Sequence, residues 1–175
     1  MSSPSVRELN AMSREQFLAA LGFLFEHSPW IVEAAWARRP FADRDDLLAR
    51  LIAVVREAPI ERQVALIEAH PDLAAPRGHP TALAGELTAA STREQASAGL
   101  DRLSPEEYRR FHQLNDAYRA RFGFPFVIAV RENTRESILR SFETRLGNDR
   151  AAEVATALGE IGKIVRLRLA DAVAP

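Results

Sequence analysis

Phe124-Pro-Phe-Val-Ile-Ala-Val130 is the one run in this sequence that reads as a β-strand, and how it is read decides the fold. Its residues are β-branched and aromatic, the types that suit a pleated, half-buried surface. A lone strand, however, has no neighbour to take its backbone hydrogen bonds, and no Asn-Gly or Asp-Gly hairpin signal accompanies it. The run is therefore expected to be an extended or partly helical buried segment.

Helix signals surround it on both sides. Upstream, Ser104-Pro-Glu-Glu107 combines a capping box with proline at the first helical position. That helix should reach about Phe122, with Gly123 as a left-handed stop. Downstream, Thr134 should cap a helix from Arg135 to about Leu146, ended by Gly147. Asn148 should then cap a last long helix with Val154, Leu158, Ile161, Val165 and Leu169 at helical spacing.

The same signals recur toward the N-terminus. Ser13-Arg-Glu-Gln16 opens a helix expected to stop near His27, before Pro29. A short helix should follow from Trp30 to about Arg38, and Asp43 should cap another from Arg44 to Arg56. Pro59 sets off a helix over Ile60 to Ala69, and Ser91-Thr-Arg-Glu94 has the form of a further capping box. The pattern predicts an all-α fold, a single-domain bundle of about eight helices over the whole chain.

Composition bounds the function. The 175 residues carry 23 Lys+Arg against 24 Asp+Glu, a net charge of −1 that argues against a nucleic-acid partner. There is no cysteine, which excludes disulfides, thiolate nucleophiles and Cys-ligated metal and suits a reducing compartment. The longest apolar run, Phe17 to Phe25, falls well short of the roughly 20 residues that span a bilayer. No targeting signal is evident, so a cytoplasmic protein without a membrane partner is expected. The chain also lacks GxGxxG, GxxxxGK[ST], GxSxG and HExxH.

The stretch 71–85 holds three prolines and two glycines, with His70 at its edge and His79 inside, and should be loop. Loops on a rigid scaffold often carry chemistry. His70 has two readings: a proton donor or acceptor near neutrality, or a cation favoured by a helix C-terminus that Pro71 ends. Ser91 and Glu94 fit a structural capping box, yet a capped helix start also offers amides to an anionic or ureido-bearing ligand. Arg166 and Arg168, two apart on the last helix, point to different faces; one suits solvent and the other a carboxylate clamp.

Four stretches, in order, carry a resemblance. They are His70-Pro-Asp-Leu-Ala74; Ser91-Thr-Arg-Glu-Gln95 followed by Ala98-Gly-Leu100; Phe122-Gly-Phe-Pro-Phe-Val-Ile128; and Glu160-Ile-Gly-Lys-Ile-Val-Arg-Leu-Arg-Leu169. Together they resemble the OHCU decarboxylase family, whose substrate is 2-oxo-4-hydroxy-4-carboxy-5-ureidoimidazoline, the product of 5-hydroxyisourate hydrolysis in urate breakdown. The resemblance covers the chain from near Met12 to Val173. It implies an all-α fold, no metal and no cofactor, a homodimer, and conversion of OHCU to (S)-allantoin and CO2.

Carried over by motif, His70 matches the family's proton donor, and Pro71 lines the substrate site beside it. Glu94 matches the acidic partner, within a substrate-binding stretch of Ser91, Thr92, Arg93, Glu94 and Gln95. Backbone groups of Phe126, Val127, Ile128, Ala129 and Val130 would hold the heterocycle, and Arg168 rather than Arg166 would face the substrate. Two rivals stay open on the sequence: a non-catalytic helical binding or scaffold domain, and a decarboxylase of a related ureido acid.

Overall fold

Side-chain caps set most of the helix starts in the computed structural model, which describes residues 3–74 and 88–175. Beyond Ala74, the expected loop and its His79 lie outside the described residues. Among the described residues there are nine α-helices and no strand, so the fold is all-α. In chain order they are α1 (Val6–Ala11), α2 (Arg14–Leu21), α3 (Pro29–Trp36), α4 (Arg44–Glu57), α5 (Ile60–Glu68), α6 (Ala89–Ser97), α7 (Pro105–Phe122), α8 (Arg135–Arg145) and α9 (Arg150–Ala172). None of the helices among these residues is long and apolar enough to cross a membrane.

Ser13, Asp43, Ser104 and Thr134 each accept a hydrogen bond from the backbone amide three residues on, as their sequence context predicts. Such a bond satisfies one of the orphan amides of a first turn and is worth about 1 kcal/mol. Gly123 ends α7 at φ +80, a left-handed geometry that glycine adopts without steric cost.

Two starts differ from the sequence reading. α6 begins a turn earlier than the Ser91–Glu94 box implied: Thr88 is the N-cap, and its hydroxyl accepts from the Ser91 amide. The added turn contains Ala89 and Ala90, strong helix formers, and buries Ala90 and Ser91, so Ser91 lies inside the helix. For α9 the cap is Asp149, which accepts from the Ala152 amide at 2.7 Å. Asn148 instead donates its side-chain amide to Glu153 Oε2 at 2.9 Å. α2 is also shorter than expected, stopping at Leu21 before a 3-10 turn over Gly22–Leu24.

The chain divides into two compact units, Met1–Leu66 with Gly162–Pro175, and Ile67–Ile161. In the first, α2 packs on α3 and α3 on α4. Phe17, Leu21, Ile31, Val32, Leu47 and Leu51 are fully buried, each contributing about 1.5–3 kcal/mol of transfer free energy. The chain's last residues belong to this unit: Ala174 N–H donates to the Pro4 carbonyl, and Arg44 to that of Val173.

The second unit is built around aromatic rings. α7 packs on α8; Phe126 stacks on Phe142 with centroids 3.7 Å apart, and Tyr118 meets Phe126 edge-on at 5.3 Å. Residues 124–130 are all buried and form no strand, ending in a 3-10 turn over Val130–Glu132. Side chains meet their backbone needs in place of a neighbouring strand. Arg145 Nη1 donates to the Val127 carbonyl at 2.7 Å, Glu160 Oε2 accepts from the Ala129 amide at 3.1 Å, and Asn133 Nδ2 donates to the Ala129 carbonyl at 2.9 Å.

Candidate active site

His70 follows the end of α5, where Pro71 blocks further helix, and its own amide closes the last turn onto the Ile67 carbonyl. It is 5% exposed, and the next four residues are buried as well. Their polar groups are met by helices of the same unit. Asp72 accepts from Arg119 Nε at 2.8 Å, the Leu73 carbonyl from Asn115 Nδ2 at 2.9 Å, and the Ala74 amide donates to Gln95 Oε1 at 3.0 Å. Ala74 has φ +57, a left-handed conformation that costs an alanine about 1–2 kcal/mol.

α6 supplies the acidic stretch. Ser91 is buried, Glu94 and Gln95 are half-buried, and Thr92 and Arg93 are exposed. Gln95 thus ties α6 to the turn after His70, while α6 also packs on the Val130–Glu132 turn. Past α6, Gly99 at φ +75 lets the chain reverse, with the Leu100 amide donating back to the Gln95 carbonyl. Three stretches distant in sequence are therefore joined within one unit: 70–74, 91–95 and 126–130.

Residues 124–130 rest on a buried charge network. Arg145 Nε and the Tyr118 hydroxyl both donate to Glu153 Oε1, at 2.7 and 2.5 Å, and Asn148 donates to Oε2. The Arg145 guanidinium also lies 4.2 Å from the Phe126 ring centroid. Burial first, and then the bond donated to Glu153, raises the Tyr118 phenol above its ordinary pKa, so it remains a donor.

Arg168 belongs to the first unit. It is 4% exposed, whereas Arg166 is exposed, so the two face apart as their spacing predicts. Arg168 Nη2 pairs with buried Glu26 at 2.8 Å, and Nη1 donates to the Phe23 and Leu24 carbonyls.

Sequence reasoning missed Asn115, Arg119, Arg145 and Glu153. A signal for three of them was present. Asn115 lies on the apolar stripe of α7 with Phe111, Tyr118 and Phe122, Arg145 continues the Ile138–Phe142 stripe of α8, and Glu153 leads the Ala157–Ile161 stripe of α9. A polar residue at an apolar position needs partners.

Comparison with known proteins bears on this site. The OHCU decarboxylase family profile matches residues 10–170. A 2-oxo-4-hydroxy-4-carboxy-5-ureidoimidazoline decarboxylase of Halalkalicoccus jeotgali is 40% identical over 175 residues, 100% of this chain and 95% of that protein. The protein of the same name from Haloferax volcanii is 41% identical over 98% of this chain and 97% of its own length. Among solved structures, an (S)-allantoin synthase superposes with TM-score 0.74 at 27% identity, over 97% of this chain. This chain spans 54% of that longer one.

Proposed function

The chain belongs to the OHCU decarboxylase family, and we propose that it converts OHCU to (S)-allantoin and CO2 with His70, Glu94 and Arg168 as its chemical groups. It is a decarboxylase of urate degradation. The observation that supports the assignment of His70 and Glu94 is the joining of 70–74, 91–95 and 126–130 within one unit, through Gln95 and the packing of α6; Arg168, in the other unit, rests on the family resemblance alone. The match over residues 10–170 supports reading the chain as one functional domain.

The chemistry asks little of the protein. The bond to CO2 breaks, its electron pair forms a double bond to the ureido-bearing carbon, and that carbon's ring C=N pair moves onto nitrogen, which takes a proton. The hydroxyl carbon becomes the ring carbonyl as its proton leaves, and a proton arrives at the ureido-bearing carbon. Holding the substrate in one conformation and delivering that proton to one face supplies both rate and the S configuration. His70 donates the proton, and Glu94 orients or deprotonates the hydroxyl. Arg168 is assigned to the substrate carboxylate by the family resemblance; its fork holds Glu26 and the Phe23 and Leu24 carbonyls. Backbone groups of Phe126, Val127, Ile128, Ala129 and Val130 hold the heterocycle. The Val127 carbonyl and Ala129 amide already serve Arg145 and Glu160, so the donors to the heterocycle come from the other amides of the stretch. Pro71, Ser91, Thr92, Arg93 and Gln95 complete the substrate contacts.

The enzyme works as a homodimer in the cytoplasm; the pairing rests on the family's habit and the compartment on a cysteine-free composition. Light scattering in solution checks the first. His70→Ala is expected to fold normally and lose at least about a hundredfold in kcat, and near-wild-type turnover would remove His70 from the acid's role. Arg168→Lys should lower kcat/KM well beyond Arg166→Lys, since lysine lacks the planar fork. Equal effects would sink the distinction between the two arginines.

A further inference from the structure

The turn that follows His70 is held at three points by side chains from two helices. Asn115 Nδ2 meets the Leu73 carbonyl, Gln95 Oε1 takes the Ala74 amide, and Arg119 Nε pairs with Asp72. Ala74, at φ +57, sits in a conformation that an alanine keeps only when its surroundings impose it. Backbone strain of this kind, four residues from an expected acid, is a signature of a functional turn.

Asn115 is the member whose presence packing does not explain. It is 4% exposed, and its Oδ1 has no hydrogen-bond partner among the described residues. A buried amide with an unmet acceptor carries a desolvation cost that an apolar side chain of similar shape would avoid, at the expense of leaving the Leu73 carbonyl unpaired. What Asn115 provides that such a residue would not is the donor to Leu73.

Building on the reading of His70 as proton donor, we infer that Asn115 is a positioning residue for the reaction. By fixing the Leu73 carbonyl it keeps the 71–74 turn in its strained form, and with it the orientation of His70. A purely structural asparagine would affect stability and kcat together; a positioning one separates them.

Asn115→Leu keeps the branched shape at Cγ, with bulkier ends, and removes the donor. With the full chain and freshly generated OHCU, kcat should fall roughly tenfold to a hundredfold, with KM within about threefold of wild type and a melting temperature only a few degrees lower, the cost of the unpaired Leu73 carbonyl. Hydrogen exchange at the Ala74 amide should accelerate while α7 amides stay protected. Adding Ala74→Gly, where glycine takes the left-handed form freely, should restore part of the lost kcat. Wild-type kcat in Asn115→Leu would overturn the inference, as would a kcat loss that follows an equal loss of stability with Ala74 exchange unchanged. Should the leucine variant not fold, Asn115→Ser, which is too short to reach Leu73, carries the same expectations. If the wild-type chain forms no (S)-allantoin, the His70 reading falls on its own. Ala74 exchange in the variant then still decides whether Asn115 holds the turn.

Discussion

Two stretches of the second unit, 71–74 and 124–130, lie buried without regular structure, and they are held in different ways. The longer one is fastened by a closed network in which Glu153 receives Arg145, Tyr118 and Asn148, and by ring contacts of Phe126, stacked on Phe142 and edge-on to Tyr118. The shorter one is held by single hydrogen bonds, an ion pair with side chains 26% and 10% exposed, and a backbone in strain at Ala74. The contrast matches the proposed division of labour. A surface that binds a flat heterocycle gains from stiffness, because preorganised donors need no reordering. A turn that aims an acid needs its geometry fixed, and strain persists there only because neighbours hold it.

The contrast can be broken first through charge. Arg145→Met leaves Glu153, which is 0% exposed, without its cation, and should destabilise the protein by about 3–5 kcal/mol. Arg119→Met removes a more exposed pair and should cost about 1 kcal/mol or less. Denaturant unfolding of both variants measures the difference, and similar losses would mean that the two stretches are fastened alike. A smaller and sharper test uses glycine. Ala74→Gly relieves a left-handed residue and should stabilise by up to about 1 kcal/mol. Ala129→Gly, at φ −72, relieves nothing and should cost about 0.5–1 kcal/mol. Opposite signs support the account; the same sign at both positions would place no strain at Ala74.

Much of the fold was legible because helix starts are local. The cap residue and its target amide lie three positions apart, so Ser13, Asp43, Ser104 and Thr134 announce themselves. The errors came where two candidates compete. Thr88 and Ser91 are one turn apart, and burial of Ala90 and Ser91 chose the first; Asn148 and Asp149 are adjacent, and Glu153 drew the first away. α1, six residues with Leu9 as its one buried side chain, has too few apolar positions to show a period, although Ser5 and Glu8 form its capping box. The absence of a strand at 124–130 could be argued from the lack of a partner, but the identity of what replaces that partner could not. Arg145 and Glu153 stand on the apolar stripes of their helices, which marks them as needing partners, but that they serve each other shows only once α8 and α9 bring them together out of water. Of the candidate site, the motifs at 70–74 and 91–95 were picked out by family resemblance, while Arg119 became visible only through its contact with Asp72.

Chiral chromatography of the allantoin formed from freshly generated OHCU tests the central claim most directly, provided the assay outpaces spontaneous decay, which yields the racemate. The account predicts (S)-allantoin in large excess from the wild-type chain, formed faster than without protein, and a racemate at the uncatalysed rate from His70→Ala. Racemic allantoin at the uncatalysed rate from the wild-type chain would contradict it.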